Sequence, residues 1–389
     1  MINDIRVGFL TSEDPRDKRS WSGTHYSMFI SLKKEFINVI PLGPVKDSLL
    51  LKTTLYAFNF VLRLLFRKGY NKSQNLLRSY LFACKFERKV KKHKIDVIFA
   101  PASSTEFAFL KTKIPICYLS DTSFGQINDY YKRFSSLFSF SINESNLIEN
   151  KAIKKSKTQV YSSDWAAQYV INNYNVDSSK VFVVKFGANL NPIPNRNTLV
   201  RDFSKSIQLF FIGVDWERKG GSIVIETLDI LLKKGYDISL VVCGCIPPFE
   251  HPQMKVIPKL DKNNEKDNKS LNQLFNESHI LFIPTRADCT PIVFCEAAAY
   301  GLPIITTDTG GVSSIVENGQ NGFALPFSAT ADDYANTIMQ LINQPEKLNE
   351  LSQISRNKYE TEFNWDVWAK KMKEILSYTA ECQGRINNT

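Results

Sequence analysis

A short segment rich in glycine and cations has the residue types needed to hold a phosphate group, Gly213-Val-Asp-Trp-Glu-Arg-Lys-Gly-Gly221. Gly220 and Gly221 let a backbone approach a ligand closely, while Arg218 and Lys219 supply two full positive charges. A predicted helix follows at once, and its N-terminal N–H groups and positive dipole end favour an anion. The segment therefore indicates a diphosphate site. An ordinary charged turn between a strand and a helix fits the same residues equally well.

A second segment carries two carboxylates, Asp288 and Glu296, within PTRADCTPIVFCEAAAYGLP. Thr290 is predicted to cap a helix whose first residue is Pro291, because both residue types suit those positions. Glu296 then lies about one and a half turns into a helix of otherwise apolar residues, and an acid in such surroundings needs a partner. We expect ligand hydroxyl groups to be that partner, with a structural salt bridge as the alternative.

Both segments follow predicted buried strands, which must place them at one edge of a sheet. In the back half of the chain, the strand IQLFFIG, the helix GGSIVIETLDILLKKG and the strand DISLVVCG make a βαβ unit, and HILFIP and LPIITT supply later strands. The front half alternates in the same way, and its six strand candidates are IRVGFLT, INVIPL, IDVIFAP, PICYLSD, TQVYSS and KVFVVKFG. The alternation predicts the α/β class with parallel sheets, whose ligands lie at the carboxyl ends of the strands.

The alternation breaks once, at the polar and proline-containing run NLNPIPNRNTLVRDFSKS, which is typical of a linker. We therefore predict two doubly wound Rossmann-like domains facing across a cleft, residues 1–195 and 196–364. A C-terminal helix over 365–389 is predicted to pack back towards the first domain. A length of 389 residues suits two domains that each bury a core of their own.

Composition limits the class of protein and its compartment. A chain with 43% apolar and 23% charged residues is not a disordered polypeptide. Seven cysteines are too few for a disulfide scaffold, and their odd number favours a reducing, cytoplasmic environment. The start of the chain, MINDIRVGFL, lacks the pattern of a signal peptide. The most apolar run, Leu49 to Leu65, is interrupted by Lys52 and Arg63, so no membrane-spanning segment is expected.

Positive charge is concentrated near the N-terminus. Residues 1–200 hold 30 Lys/Arg against 15 Asp/Glu, and residues 51–100 hold 12 against 2, although the net charge is only +10. The cations of residues 51–100 are interleaved with Leu, Phe and Tyr, a mix that favours peripheral binding to an anionic membrane surface, where a lipid-linked acceptor would be reached. Alternatively, the apolar stripe packs on the sheet and the cations are only solvated. Nucleic-acid binding is not expected, because no recognised module accompanies the charge.

The second segment and the residues after it resemble a known family. Asp288-x7-Glu296 followed by AAAYGLPIITTDTGG is similar to the acidic-x7-Glu signature of family 4 glycosyltransferases, which are retaining sugar transferases with the GT-B fold. The resemblance covers nearly the whole chain and is strongest from about 207 to 326. It extends to Lys219-Gly, Asn318-Gly-Gln-Asn-Gly322-Phe, Ser162-Ser-Asp-Trp-Ala166, Lys185-Phe-Gly-Ala-Asn189 and Trp21-Ser-Gly-Thr24.

The resemblance implies transfer of a hexose-type sugar from a nucleoside diphosphate sugar to an acceptor hydroxyl. It implies that the donor is held mainly by the second domain and the acceptor by the first, with no bound metal and no cofactor besides the donor substrate. Glu296 matches the glutamate that binds the donor ribose, Asp288 the acid near the transferred sugar, and Lys219 the lysine that contacts the diphosphate. Gly23 would approach the phosphates from the opposite side.

The remaining candidates come from their places beside these residues. Gly213, Gly220 and Thr290 complete the predicted donor contacts, and Arg218 joins Lys219 in stabilising the negative charge of the leaving diphosphate. Asp121 ends the strand PICYLSD and could orient the acceptor or the sugar. Capping of the helix that follows Thr122 is an equally good interpretation of Asp121.

Two other functions remain open on the same fold. The family pattern has Glu where Asp288 stands, often has Arg where Val214 stands, and often has a backbone N–H donor where Pro291 stands. These differences are compatible with an inactive scaffold or regulatory subunit. A sugar-nucleotide 2-epimerase would also need contacts to the diphosphate and the ribose. A transferase needs donor and acceptor, an epimerase needs only the nucleotide sugar, and an inactive subunit needs neither.

Overall fold

A computed structural model of the chain describes residues 3–199 and 201–384, and these fall into two units. Unit 1 contains residues up to Val184 together with those from Trp368 onward, and unit 2 contains Lys185–Val367. The domain limits at 195 and 364 stay a prediction, since the units change at 184 and 367.

Unit 1 is built on six parallel strands in the order β2-β1-β3-β4-β5-β6. The strands are β1 (Asn3–Phe9), β2 (Phe36–Pro41), β3 (Val97–Pro101), β4 (Ile116–Ser120), β5 (Thr158–Tyr161) and β6 (Val181–Val183). The helices are α1 (Thr24–Glu35), α2 (Leu49–Phe66), α3 (Leu76–Val90), α4 (Ser104–Phe107), α5 (Phe124–Ile127), α6 (Ser139–Lys155) and α7 (Asp164–Tyr174). All six strands predicted in this half of the chain are confirmed. Strands β3, β4 and β5 are buried throughout, while the edge strands β2 and β6 are only partly buried.

Unit 2 repeats this architecture in the order β12-β11-β10-β7-β8-β9, again with parallel pairing. Its strands are β7 (Ile207–Ile212), β8 (Ile238–Cys243), β9 (Met254–Ile257), β10 (Ile280–Ile283), β11 (Ile304–Thr307) and β12 (Gly322–Leu325). Its helices are α8 (Gly221–Lys233), α9 (Glu265–Glu277), α10 (Ile292–Ala299), α11 (Ala331–Ile342) and α12 (Pro345–Thr361). The predicted α/β class is confirmed. The sequence missed β9 and β12, which are the two edge strands and are only partly buried.

The helix predicted at the C-terminal end is α13, which runs over Trp365–Gly384. From Trp368 onward it belongs to unit 1, where the Trp368 indole contacts the Phe99 ring with centroids 6.0 Å apart. Lys373 donates to the Glu35 carboxylate at 3.0 Å, and the Thr379 and Thr158 hydroxyls lie 2.7 Å apart. The last helix therefore completes the core and the polar contacts of unit 1.

Helices α2 and α3 bury different faces, although both lie in the basic region. Helix α3 buries Phe82, Ala83 and Phe86 in the core of unit 1, so for α3 the apolar stripe does pack on the fold. In α2 only Leu62 is buried, while most of its Leu, Phe and Val side chains are exposed. Length and composition alone would let α2 cross a membrane, despite Lys52 and Arg63.

Candidate active site

The order of the strands in unit 2 creates a place for a ligand beside β7. Strand β7 pairs with β8 on one side and with β10 on the other, so the chain that leaves β7 and the chain that leaves β10 turn in opposite directions. In open parallel sheets a ligand binds at the carboxyl end of the strands at such a switch point. The Gly213–Gly221 turn follows β7, and the Asp288 loop follows β10. Both predicted segments are thereby brought to one point.

Lys219 and Asp288 meet at this switch point. The Lys219 ammonium donates to the Asp288 Oδ2 at 2.5 Å, and the two side chains are only 8% and 10% exposed. An ion pair at this depth interacts strongly, because little water screens the charges. A lysine ammonium has three donors. Lys219 can therefore keep Asp288 and still donate to a phosphate oxygen.

Arg218, the residue before Lys219, also contacts the Asp288 loop. Its guanidinium donates to the Ala287 carbonyl at 2.7 Å and lies 3.7 Å from the Asp288 Oδ2. On its other side it lies 3.9 Å from the Asp215 carboxylate. The two cations predicted to hold a diphosphate thus share one carboxylate, Asp288, and the cluster carries little excess charge as it stands.

The glycines of the turn lie so close to other groups of the protein that a side chain would not fit. A Cβ at Gly220 would lie 2.0 Å from the Pro284 carbonyl oxygen, and its φ of +80° is left-handed. A Cβ at Gly221 would overlap the Trp216 ring, and one at Gly213 would lie 2.8 Å from the Lys219 side chain. These positions fix the path of the turn and the direction of Lys219. Helix α8 then begins with no side-chain cap, as suits a helix that presents its N–H groups to an anion.

The predicted cap of the next helix is wrong. Helix α10 begins at Ile292, with Pro291 at its N-cap, and it has no side-chain cap. The Thr290 hydroxyl donates instead to the Cys289 carbonyl at 2.8 Å. Pro291 has a ψ of 87°, outside the helical range, so the chain enters the helix one residue later than local preference indicated.

Glu296 is buried in α10, and its partner is Lys262. The Glu296 side chain is 3% exposed and accepts from the Lys262 ammonium at 2.5 Å, while Lys262 is 37% exposed. The salt bridge that the sequence left as an alternative is therefore present. Burial raises the pKa of the nearby Cys295 thiol, and the Glu296 charge adds to that effect. Cys295 is thus held as a neutral thiol.

Lys262 was not identified from the sequence. It lies in the loop between β9 and α9, and nothing in the neighbouring letters DKNNEK marks it as a partner of Glu296. The motif Asn318-Gly-Gln-Asn-Gly322 has a structural role. Buried Asn321 donates to the Ile315 carbonyl, and a Cβ at Gly322 would overlap the Ile304 carbonyl oxygen. The motif therefore shapes the turn that leads into β12.

In unit 1, Gly23 lies where a strained loop enters α1. Trp21, Ser22 and Gly23 all have positive φ angles, of 45°, 56° and 91°. The loop is tied to Glu13, which accepts hydrogen bonds from Ser20 and from the Trp21 backbone N–H. Hydrogen bonding to His25 lowers the pKa of Glu13. Strain of this kind persists only where neighbouring contacts hold it, and it clusters at ligand-binding loops.

Asp121 follows β4 at the carboxyl edge of the sheet of unit 1. Helix α5 begins at Phe124 with Ser123 at the N-cap, and it has no side-chain cap. Ser123, and not Asp121, is therefore the N-cap residue of α5, and the role of Asp121 in orienting the acceptor or the sugar stays a prediction. The place of Asp121 at the ligand-binding edge agrees with that prediction.

Comparison with known proteins shows which proteins unit 2 is similar to. Residues 200–358 match the family described as Glycosyl transferases group 1. The match therefore covers most of unit 2, which is similar to group 1 glycosyltransferases. The matched residues include the whole switch-point cluster, from Gly213 to Glu296.

Among curated relatives, the capsular polysaccharide biosynthesis glycosyltransferase CapM of Staphylococcus aureus is 24% identical over 183 residues, which are 45% of this chain and 47% of CapM. The chain spans about half the length of the curated relatives it matches first.

Solved structures extend the likeness beyond unit 2. Sucrose-phosphate synthase from Thermosynechococcus elongatus superposes with a TM-score of 0.66 at 13% identity, over 97% of this chain and 99% of that one. Anabaena Alr3699/HepE, solved in complex with UDP-glucose, gives a TM-score of 0.64 at 13% identity, over 96% and 100%. The fold of the chain is GT-B.

The site as a whole is a set of paired charges at the carboxyl edge of one sheet. Within residues 3–199 and 201–384, no group of three or more His, Cys, Asp and Glu side chains is arranged to hold a metal ion. The switch-point cluster offers an ammonium, a guanidinium and the starts of α8 and α10 to an anion, and two carboxylates to hydroxyl groups.

Proposed function

We propose that the protein is a retaining hexosyltransferase that moves a hexose from a nucleoside diphosphate sugar to a hydroxyl group of a glycan or lipid-linked acceptor. The observation that carries this proposal is the Lys219–Asp288 pair at the switch point of unit 2, between two helix starts without side-chain caps. Solved HepE holds UDP-glucose on the same fold, which supports a nucleotide-sugar donor. CapM acts in capsular polysaccharide biosynthesis, which supports a cell-envelope glycan as the product.

The costly event in the reaction is cleavage of the bond between the anomeric carbon and the diphosphate. Lys219, Arg218 and the start of α8 stabilise the negative charge that develops on the leaving group, with no metal ion required. Asp288 holds Lys219 in place and lies within reach of the sugar hydroxyls. The acceptor hydroxyl attacks from the face that the diphosphate leaves, and the departing phosphate takes its proton, so the configuration is retained.

Glu296 binds the ribose hydroxyls of the donor in this mechanism. Its present partner, Lys262, is partly exposed on a loop and can swing away when those hydroxyls arrive. Gly213, Gly220 and Thr290 shape the donor site, and Gly23 and Asp121 of unit 1 serve the phosphates and the acceptor. We place the enzyme in the cytoplasm, on the inner face of a membrane that carries its acceptor.

Binding of the donor to membrane-free protein tests this function. Thermal unfolding is followed with a panel of nucleoside diphosphates and their sugars, in EDTA and again with Mg²⁺. A ligand at about 100 times its Kd adds about 2.7 kcal/mol of stability. We expect one nucleotide to stabilise the wild type equally in both buffers. Glu296→Gln should lose most of that shift.

Glu360→Gln is the matched control, because Glu360 is also an ion-paired carboxylate of unit 2 but pairs with Arg196 and Arg356, away from the switch point. It should behave as the wild type does. If no member of the panel stabilises the protein, the inactive-scaffold interpretation takes over. Sugar epimerisation without an acceptor would favour the epimerase instead.

A further inference from the structure

Unit 1 contains a cavity of about 880 Å³ beside the carboxyl ends of β1 and β2. Ser12 and Glu13 follow β1 at its edge, and Lys46 and Asp47 follow β2. The volume lies in the range of about 300 to 1,000 Å³ that is typical of ligand sites. The cavity therefore occupies the edge of the sheet where ligands of parallel sheets bind.

Helix α2 forms one wall of this cavity. Lys52, Tyr56, Asn59 and Arg63 line the cavity, and their spacing of four, three and four residues places them in one stripe along the helix. Arg63 reaches past the loop after α2, where a Cβ at Gly69 would lie 2.8 Å from its guanidinium. The absence of a side chain at Gly69 thus lets Arg63 occupy the wall.

The cavity has more cations than carboxylates to neutralise them. Arg78 pairs with Asp47 at 3.1 Å, and Glu13 is engaged by Ser20, Trp21 and His25. The other five cations have no carboxylate partner among the residues that the structure describes: Lys46, Lys52, Arg63, Lys72 and Arg133. An anion in the cavity would therefore be attracted by several positive charges. Guanidinium groups such as those of Arg63 and Arg133 match the geometry of a phosphate.

The adjoining face of α2 is apolar and uncovered. Leu49, Leu50, Phe60, Val61 and Leu64 are between 45% and 78% exposed and lie on the side away from the packed residues. A surface helix normally turns such a stripe towards the core, and here the core receives the opposite face. The cationic stripe of Lys52 and Arg63 runs between the packed face and this apolar face. A ligand with an anionic head and an apolar tail would contact both the cationic stripe and the apolar face of α2.

We propose that the cavity binds the phosphate or diphosphate head of a membrane-anchored lipid, with the apolar chain of that lipid running along the exposed face of α2. The identification of this lipid as the sugar acceptor rests on the function proposed above. The presence of an anion site in the cavity does not depend on that function.

Hexyl phosphate, which stays monomeric, tests the cavity without a membrane or a donor. Titration calorimetry should show that the wild type binds hexyl phosphate, and binds inorganic phosphate and hexanol more weakly. Lys52→Gln combined with Arg63→Gln should weaken binding roughly tenfold or more, because two cations near the anion are lost. Lys52→Arg with Arg63→Lys should retain most of it.

Two variants serve as controls. Lys92→Gln with Lys94→Gln removes the same charge from exposed positions of unit 1 outside the cavity and should stay within about twofold of the wild type. Arg218→Gln alters the donor site and should also bind hexyl phosphate normally. Equal binding by all variants overturns the proposal, and so does loss of binding in Arg218→Gln. Inorganic phosphate binding as tightly as hexyl phosphate overturns the lipid part.

Failure of this inference can be told apart from failure of the proposed function. Stabilisation by a nucleotide with no effect of the cavity substitutions on hexyl phosphate removes only the cavity proposal. Binding of hexyl phosphate at the cavity without stabilisation by any nucleotide leaves the anion site and removes the transferase.

Discussion

The two units share one architecture and treat their charged and apolar side chains in opposite ways. Each has six parallel strands with a switch point beside its first strand. In unit 2 the buried acids at the site are matched by lysines, as in the pairs Lys219–Asp288 and Lys262–Glu296. In unit 1 five cavity cations have no carboxylate partner among the described residues, and the apolar face of α2 is exposed.

The difference suits the two kinds of ligand that are proposed above. In unit 2 the charged side chains already neutralise one another. When a small polar ligand binds, each side chain can replace its partner in the protein with a group of the ligand, at little net electrostatic cost. A surface with excess cations and uncovered apolar side chains gains from a large amphiphilic partner instead. Under the proposals made above, the same fold would serve a soluble donor in unit 2 and a membrane-bound acceptor in unit 1.

The largest effect is expected from breaking the buried pair of unit 2. Lys219→Met removes the ammonium that pairs with the buried Asp288 carboxylate at 2.5 Å, and should cost about 3 kcal/mol of the free energy of unfolding. It should also abolish stabilisation by the donor nucleotide. Lys219→Met combined with Asp288→Leu should recover most of the stability without recovering nucleotide binding. Denaturant unfolding and thermal shifts measure both. If Lys219→Met binds the nucleotide normally, Lys219 is not part of the donor site.

The turn before α8 tests whether the site of unit 2 is fixed by its backbone. Gly220→Ala adds a Cβ that overlaps the Pro284 carbonyl and imposes a left-handed φ on alanine, so we expect a loss of about 3 kcal/mol. Gly235→Ala is the control, since Gly235 has a φ of +84° but no atom within 4 Å of its Cβ position. It should cost about 1 kcal/mol. Equal losses would mean that the close approach to Pro284 is unimportant.

Vesicle binding tests whether the exposed face of α2 is the membrane contact of unit 1. Phe60→Ser with Leu64→Ser removes two side chains that are 66% and 70% exposed, and should weaken flotation with anionic vesicles by about 2 kcal/mol. The melting temperature should not fall, because neither side chain is buried. Val214→Ser with Ile246→Ser removes equally exposed apolar residues from unit 2 and should leave vesicle binding unchanged. The opposite pattern would assign the membrane to unit 2.

The last effect concerns a buried acid of unit 1 that has no cation partner among the residues that the structure describes. Glu149 accepts from Tyr118 at 2.9 Å and from Gln74 at 3.2 Å, and burial raises its pKa to about 6. Because the folded chain holds this proton more tightly, the contribution to stability is complete below pH 4.5 and is lost as the pH rises to about 6. Glu149→Gln should remove about 2 kcal/mol of that pH dependence. The prediction is contradicted if the free energy of unfolding, from denaturant titrations at pH 4 and pH 7, changes as much with pH in Glu149→Gln as in the wild type.

Local patterns predicted the core strands because each is a short apolar run that a parallel sheet buries on both faces. They missed β9 and β12, which are short and only partly buried, although the partly buried edge strands β2 and β6 were predicted. They also placed the start of α10 one residue early. Thr290 and Pro291 suit a helix start by residue type, but ψ at Pro291 follows the path that the Asp288 loop must take, and that path depends on the rest of the fold.

The sequence by itself determined the residue types at the site, the α/β class and the excess of cations near the N-terminus. Only the tertiary structure decided which charges meet. Lys219 and Asp288 are joined because β7 and β10 are neighbours, and Glu296 finds Lys262 on a loop that no local motif marks. It also decided that α2 turns its apolar face outward. Periodicity reveals that a helix has an apolar face, but the direction of that face depends on contacts made elsewhere in the chain.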